Sequence, residues 1–205
     1  MRIAVIADIH GNALALRSVM DDIEHQKPDL VVNLGDHLSG PLDAAVTAGI
    51  LMSQPHWVQI RGNHDRQLLE HAPSAMGPSD RAANSQIGEA ERTWLRQLSP
   101  TAAPAEGVLL CHGTPADDLE YLLEDLSAAG PSLATPENLM RRLGGNSGAI
   151  LCGHSHVARF VRLADGTVVL NPGSVGLQAY EDIGHRFPHF MENGSPHARY
   201  ALLDR

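Results

Sequence analysis

Short apolar segments alternate with segments of helical periodicity along the first two-thirds of the chain. Five apolar segments predict strands at residues 2–7, 30–34, 57–60, 108–111 and 149–152. Apolar residues at helical spacing predict helices at about 13–26, 41–52, 117–126 and 136–143, with shorter helical stretches after His64 and around Trp94. The last third is mostly β, because segments at 158–163 and 167–171 flank the hairpin signal Asp165-Gly166 and residues 199–203 predict a final strand.

This order of elements is typical of α/β proteins, with either one mixed sheet or two packed sheets. The 205 residues fit one domain spanning 1–205, and the 43% hydrophobic residues exclude wholesale disorder. No apolar run approaches the roughly 18 residues that cross a bilayer. The first strand follows the N-terminus directly, without an apolar signal region, so we expect no membrane partner and a cytoplasmic protein with reduced thiols.

Polar side chains follow each of the five predicted strands. The motifs are Asp8-Ile9-His10, Gly35-Asp36-His37, Gly62-Asn63-His64-Asp65, His112-Gly113 and Gly153-His154-Ser155-His156. Because ligands of open α/β sheets bind outside the carboxyl ends of the strands, we expect these side chains to meet at one edge. Each motif alone is compatible with a helix cap, a turn or a surface histidine. Together, and in this order, they indicate a metal site.

Composition narrows the kind of metal and the kind of partner. There are 12 histidines but only 2 cysteines, Cys111 and Cys152, which we interpret as small buried hydrophobic residues. Nitrogen and oxygen ligands without thiolate favour Mn, Fe, Zn or Ni over Ca or Mg. A formal charge of -9 argues against a broad basic face for extended nucleic acid.

The series of motifs resembles that of the calcineurin-like metallophosphoesterase superfamily. It covers residues 3–156, and Asn171-Pro172-Gly173-Ser174 and the ending 198–203 look like the small bacterial phosphodiesterase branch. The resemblance implies a four-layer αββα sandwich with two packed mixed β-sheets. It also implies two divalent metal ions and hydrolysis of a small phosphoester or nucleotide by a metal-bridging hydroxide.

The resemblance also implies a role for each ligand. One metal would be held by Asp8, His10 and His156, the other by Asn63, His112 and His154, and Asp36 would bridge the two. Two divalent ions outweigh the two carboxylates, so this site would attract phosphate even inside an acidic protein.

Catalytic and substrate contacts are expected beside the ligands. The resemblance makes His64 the proton donor to the leaving oxygen or a group that steadies the transition state. Asp65 would orient His64, with capping of the following helix as the alternative. His37 and Arg66 are candidate substrate contacts, for which an ordinary loop histidine and a helix-surface ion pair are the alternatives. In the segment 178–197, Tyr180 is a further candidate.

The sequence does not decide the roles of two segments or the choice among three functions. We expect part of 178–197 to border the substrate pocket, and 72–86 to form a polar loop that is a candidate lid. The leading hypothesis is a phosphodiesterase for small phosphodiesters or nucleotides. The alternatives are a phosphomonoesterase or protein phosphatase, and a metal-bound scaffold without catalysis, which the full set of ligands and His64 disfavours. A homo-oligomer is compatible with the sequence.

Overall fold

A computed structural model of the protein describes residues 1–184 and 186–205. The helices are α1 (Ala13–Gln26), α2 (Ala44–Met52), α3 (Asn63–Glu70), α4 (Pro78–Asn84), α5 (Glu89–Gln97) and α6 (Pro136–Leu143). The strands up to the fourth motif are β1 (Arg2–Ile6), β2 (Leu30–Asn33), β3 (Val58–Gln59), β4 (Ala102–Ala105) and β5 (Val108–Leu110). The later strands are β6 (Glu124–Ser127), β7 (Gly130–Leu133), β8 (Ala149–Leu151), β9 (Arg159–Arg162), β10 (Val168–Asn171), β11 (Ala179–Asp182), β12 (His189–Glu192) and β13 (Ala201–Asp204).

Two mixed sheets pack face to face between outer layers of helices. The first sheet has the order β13-β1-β2-β3, in which β13 is antiparallel to β1 and the other neighbours are parallel. The second has the order β4-β5-β8-β10-β9, with three parallel central strands and antiparallel edge strands. This arrangement confirms the predicted αββα sandwich.

Strand β1 shows why an uninterrupted apolar segment suits this architecture. After Arg2 all of its residues are fully buried, and successive side chains of a strand point to opposite faces. Ile3 and Val5 lie in the core between the sheets, whereas Ala4 and Ile6 pack with Leu16 of α1. Both faces of the strand therefore require apolar residues, as its pattern predicts.

The prediction of a helix at 117–126 is wrong. Tyr121, Leu122 and Leu123 are buried one after another, whereas a helix face buries residues three or four apart, and residues 117–123 form an irregular segment with bends. The segment continues into β6, and the chain turns back at Gly130 with φ of 97° to form a hairpin with β7.

Four further elements differ from the sequence prediction. The polar loop expected at 72–86 contains α4, which begins with Pro78 at a position that favours proline. Helix α2 begins at Ala44 rather than next to Pro41, and β3 retains only two residues of 57–60. Strand β4 was not predicted, because its sequence Ala-Ala-Pro-Ala carries no β signal and occupies a sheet edge, where proline is tolerated.

A second hairpin, β11–β12, lies in the segment 178–197, and β12 packs against β7. Residue 185, a histidine in the connection of this hairpin, lies outside the described residues. Across the described part of the chain, no helix combines the length and apolar character needed to cross a membrane.

Candidate metal centre

The turns that follow the parallel strands are bonded to one another at one edge of the sandwich. The amide of Asp8 donates to Gly35 O at 3.0 Å, and the amide of His10 donates to Asp36 O at 3.0 Å. In the second sheet, the amide of Gly153 donates to His112 O at 2.8 Å. The backbone therefore holds side chains that are far apart in sequence at a common centre.

Six of the seven predicted ligands form two compact groups. In each group the potential donor atoms lie within 4.8 Å of one another, and the groups are Asp8, His10 and His156, and Asp36, His112 and His154. The seventh, Asn63, places Oδ1 2.9 Å from His112 Nε2. Asp36 Oδ2 is 3.3 Å from His112 Nε2 and 3.7 Å from His10 Nε2, so this carboxylate lies between the groups.

Backbone carbonyls fix the orientation of all four imidazoles. The Nδ1 atoms of three rings hydrogen-bond to carbonyls at 2.6–2.8 Å: His10 to Ser39, His112 to Leu34 and His156 to Leu177. His154 instead uses Nε2, at 3.1 Å from Leu119 O. A carbonyl can only accept, so these contacts assign the proton to the bonded nitrogen. The opposite nitrogen of each ring is left to bind a metal.

The residues fit a pair of divalent cations. His10 Nε2 and His156 Nε2 are 3.1 Å apart, and both are unprotonated when Nδ1 donates to a carbonyl. Two lone pairs at this distance repel each other unless a cation accepts them. Asp8 Oδ2 is buried and has no hydrogen-bond partner within the described residues. Such a buried oxygen requires a cation or a donor.

Burial and neighbouring charges keep most of these ligands in the metal-binding form. Burial lowers the pKa of His10, lowers the pKa of His154 to about 3, and holds the pKa of His156 well below its usual range. For Asp36, burial acts to raise the pKa, but the positive charge of His112 and neighbouring histidines outweighs it and holds the pKa well below its usual range. Asp8 and His112 are the exceptions: burial raises the pKa of Asp8 to about 8, and the Asp36 carboxylate outweighs burial and raises the pKa of His112 to about 10. A metal would therefore have to displace a proton from each of these two groups. Neutral imidazole and carboxylate are the forms that coordinate metals.

Backbone strain is concentrated at the ligands. Five of them have left-handed φ values: Asp8 55°, His10 49°, Asp36 55°, His154 69° and His156 59°. Elsewhere in the described chain, the one other non-glycine residue with positive φ is Lys27, which ends α1. Left-handed backbone costs on the order of 1 kcal/mol or more per residue and persists where the surroundings enforce it. A cluster of left-handed residues at the predicted ligands is typical of a functional site.

His64 lies beside the ligands and pairs with a carboxylate that the sequence motifs did not identify. Its Nδ1 is 2.8 Å from Oδ1 of Asp80 on α4, and Ser39 Oγ donates to the same oxygen at 2.6 Å. The His64 side chain is 34% exposed, whereas that of Asp80 is 4% exposed. Burial acts to lower the pKa of His64, but the Asp36 and Asp80 carboxylates outweigh it and raise the pKa to about 9.

The expected contact between Asp65 and His64 is corrected by the structure. Asp65 is fully buried, and Oδ2 accepts from the amides of Asp36 and Gly62 at 2.9 Å and from His37 Nδ1 at 2.6 Å. Oδ1 accepts from the amide of His37 at 3.0 Å. Asp65 therefore ties two ligand turns together and caps the start of α3, which is the alternative that the sequence left open.

The three candidate substrate residues have different surroundings. His37 is fully buried between Asp65 and Trp94, whose ring centroid is 5.1 Å away, so it is not positioned to contact a substrate. Arg66 forms two hydrogen bonds with Asp118 at 2.7 and 2.8 Å and an ion pair with Glu70 at 3.2 Å. The alternative of an ion pair on the helix surface therefore describes Arg66 better than a substrate contact.

Tyr180, in contrast, lies beside the predicted metal ligands, together with a second tyrosine that the sequence did not predict. The Tyr180 ring is 4.7 Å from the His156 ring, and its hydroxyl is 3.2 Å from His154 O. Tyr121 stacks on His154 with a centroid distance of 4.7 Å, and the two tyrosine hydroxyls are 2.6 Å apart. No motif pointed to Tyr121, because it falls in the segment for which the apolar spacing predicts a helix.

His64, the two tyrosines and five of the seven predicted ligands line one cavity of about 480 Å³; those five are His10, Asp36, Asn63, His154 and His156. Its other described lining residues are Ser39, Gln67, Ser79, Leu119, Leu177, Glu181, Asp182 and Gly184. Residues of α4 and of β11 thus border it, and both elements lie in the two segments that were candidates for such a position. The cavity combines nitrogen and oxygen donors, an ionisable histidine and two aromatic rings.

An αββα sandwich with two groups of nitrogen and oxygen donors at its strand ends defines a class of metal-dependent proteins. A sequence profile for the Calcineurin-like phosphoesterase superfamily domain matches residues 1–186. The chain therefore belongs to the calcineurin-like phosphoesterase superfamily, whose members typically use divalent metal ions. No curated protein matches the chain significantly.

Solved structures share the fold at low sequence identity. A metallophosphoesterase from Sphaerobacter thermophilus is 21% identical with a TM-score of 0.73, and the match covers 100% of this chain and 84% of that one. A hypothetical protein from Pyrococcus horikoshii is 18% identical with a TM-score of 0.71, covering 93% and 87%. YfcE, a phosphoesterase from E. coli, is 18% identical with a TM-score of 0.52, covering 100% and 88%. At these identities the similarity establishes the fold alone.

Proposed function

We propose that the protein is a metal-dependent phosphoester hydrolase that prefers small phosphodiesters or nucleotides. The observation that carries the proposal is that two groups of candidate metal ligands, each with members in the lining of one cavity, lie beside His64 in a chain of this superfamily. A phosphomonoesterase would use the same centre, and comparing the hydrolysis of a diester with that of a monoester separates the two activities.

The ligand residues would hold two divalent ions, with Asp36 between them as the bridging carboxylate. When bound, such ions supply Lewis acidity toward phosphoryl oxygens and lower the pKa of a coordinated water. Mn, Fe, Zn and Ni suit the mixture of imidazole, carboxylate and amide oxygen. The seven proposed ligands are Asp8, His10, Asp36, Asn63, His112, His154 and His156.

His64 is proposed to deliver a proton to the leaving oxygen. It is partly exposed to the cavity, and its Nδ1 faces Asp80, so Nε2 is the nitrogen available to a substrate. The adjacent carboxylates favour the protonated ring, as a general acid requires. Asp80, in place of Asp65, is proposed to orient the His64 ring.

The protein loaded in turn with Mn, Fe, Zn and Ni is expected to hydrolyse bis(p-nitrophenyl) phosphate with a higher kcat/KM than p-nitrophenyl phosphate. EDTA should remove the activity, and restoring the metal should return it. The release of p-nitrophenolate measures both reactions. A strong preference for the monoester would favour the phosphomonoesterase, and no turnover with any of the four metals would favour a scaffold without catalysis.

Asp80→Asn is expected to lower kcat by about 10–100-fold with little change in KM or metal content. The amide retains a similar shape but removes the charge that stabilises protonated His64. If His64 is the acid, the loss should be greater for alkyl leaving groups than for p-nitrophenol, which needs little protonation. Equal losses with both kinds of leaving group would contradict this role. Asp43→Asn is a suitable control, because the Asp43 side chain makes no capping bond at α2.

A further inference from the structure

Arg66 joins the helix that carries Asn63 to a distant part of the chain. Helix α3 begins at Asn63, and Arg66 lies one turn later on the same helix. Its guanidinium donates from Nε and Nη2 to the two carboxylate oxygens of Asp118, at 2.7 and 2.8 Å. The two side chains are 26% and 22% exposed, so solvent screens the pair only in part. A pair with two parallel bonds fixes the orientation of its partners as well as their distance.

Asp118 belongs to an irregular segment, residues 114–121, that holds one of the proposed metal ligands. The carbonyl of Leu119 accepts a hydrogen bond from His154 Nε2 at 3.1 Å, and the ring of Tyr121 lies against the His154 ring with a centroid distance of 4.7 Å. The segment therefore sets both the protonated nitrogen and the plane of this imidazole, which leaves Nδ1 to bind a metal.

The same segment lies directly on Gly113, the residue after the proposed ligand His112. A Cβ atom at Gly113 would be 2.6 Å from Asp117 O and 2.7 Å from Glu120 O, which is closer than such atoms approach in proteins. Glycine is therefore required for the segment to pack here, and this requirement accounts for the second residue of the His112-Gly113 motif.

Two ion pairs hold the segment, one on each side of Leu119. Asp118 is bound by Arg66 of α3, and Glu120 is bound by Arg142 of α6 at 3.2 Å. The chain between β5 and β6, all of it described, has neither helix nor strand. The position of the Leu119 carbonyl therefore depends on local turns and on these two ion pairs rather than on the bonds of a regular element.

From these contacts we infer that Arg66 is a positioning residue for the proposed metal whose ligands are Asn63, His112 and His154. Through Asp118, Arg66 ties the helix that carries the first ligand to the segment that packs beside the second and holds the ring of the third. The inference rests on the proposed function for the presence of two metals. In this role Arg66 acts through the ligands and does not need to touch the substrate.

Other parts of the chain hold the imidazoles of the second proposed metal. His10 hydrogen-bonds to the carbonyl of Ser39 and His156 to that of Leu177, both at 2.6 Å. Displacement of the 114–121 segment should therefore weaken the binding of one metal and spare the other. A general loss of stability would weaken both, and the loss of an isolated surface ion pair would weaken neither.

Titration of the metal-free chain with Mn²⁺ tests this selectivity by calorimetry, with EPR to separate single ions from a coupled pair. Arg66→Ala is expected to lower the affinity for one of the two ions by about 10–100-fold and to leave the other near its wild-type value. Asp118→Ala should do the same, and the double variant should lose no more than either single variant, because both remove one interaction. Arg66→Lys, which lacks the planar fork, should give an intermediate loss.

Reference variants identify the ion that is affected. Asn63→Ala should weaken the same ion as Arg66→Ala, whereas His10→Ala should weaken the other. Glu70→Gln is the matched control, because Glu70 is the second carboxylate beside Arg66, at 3.2 Å, and its side chain is 57% exposed. This control should bind both ions like the wild-type chain. Equal weakening of both ions, or of neither, in the Arg66 and Asp118 variants would overturn the inference.

The His154 ring provides a second measurement, without metal. In ¹⁵N NMR spectra the metal-free wild-type chain should show His154 protonated at Nε2, and Arg66→Ala should populate the other tautomer as the Leu119 carbonyl shifts. An unchanged tautomer would contradict the positioning role. Circular dichroism of the same samples establishes that the variant is folded, which we expect because Glu120 remains bound to α6.

Metal binding separates this inference from the proposed catalysis. Selective weakening of one ion in a chain that hydrolyses neither p-nitrophenyl ester would leave the role of Arg66 standing and overturn the proposed hydrolase. Hydrolysis by a wild-type chain whose Arg66→Ala variant binds both ions with unchanged affinity would do the reverse.

Discussion

His64→Ala is expected to lose about 10²–10⁴-fold in turnover while its metal content stays near that of the wild-type chain. The imidazole lies in the cavity and is absent from both groups of candidate metal ligands within the described residues. Its removal therefore eliminates the proposed proton donor but leaves the donor atoms in place. The loss should be greatest for substrates whose leaving oxygen is strongly basic, because those depend most on protonation.

The measurement pairs steady-state hydrolysis with metal analysis of the same samples. His25→Ala is the matched control, since His25 is exposed on α1 and its Nδ1 hydrogen-bonds within the same helix, to Asp21 O at 2.6 Å. That variant should retain full activity. A parallel loss of metal and activity in His64→Ala would contradict the assignment of His64 as an acid and would indicate that it supports the metal site itself.

The sequence was most informative where a motif directly follows a parallel strand. Such a motif can be placed in the fold once the strand before it is identified, because parallel strands present their carboxyl ends at a common edge. The seven proposed ligands could be brought together on this basis. The fold class followed from the same alternation of strands and helices, with the layer arrangement supplied by the resemblance.

Residues brought to the centre by packing could not be identified in this way. Asp80 reaches His64 from a short helix with no strand before it, and Tyr121 reaches His154 from an irregular segment whose apolar spacing predicts a helix. The prediction that Asp65 orients His64 was based on their adjacency in the sequence and was wrong. Its place next to His64 suggested a pair, but at the third position of α3 its carboxylate turns back to the amide of Gly62.

This position of Asp65 leads to a prediction about stability. Asp65→Ala is expected to lower the free energy of unfolding by roughly 3–5 kcal/mol, because it leaves three buried backbone amides and His37 Nδ1 without their acceptor. The amides belong to the turns that carry Asp36 and Asn63, so metal affinity should fall as well. Urea denaturation of the metal-free protein measures the first effect, and metal titration of the folded protein measures the second.

The conservative variant distinguishes this structural role from a catalytic one. Asp65→Asn keeps one acceptor oxygen and should recover part of the stability lost in Asp65→Ala, with metal affinity recovering in parallel. A catalytic residue would behave differently: both variants would unfold and bind metal like the wild-type chain and lose only turnover. That result would restore the pairing of Asp65 with His64 during the reaction and would contradict the proposed role of Asp80. Because Asp80 lies outside the hydrogen bonds of Asp65, the effects of Asp80→Asn and of the Asp65 variants on stability should be additive, which keeps the two predictions independent.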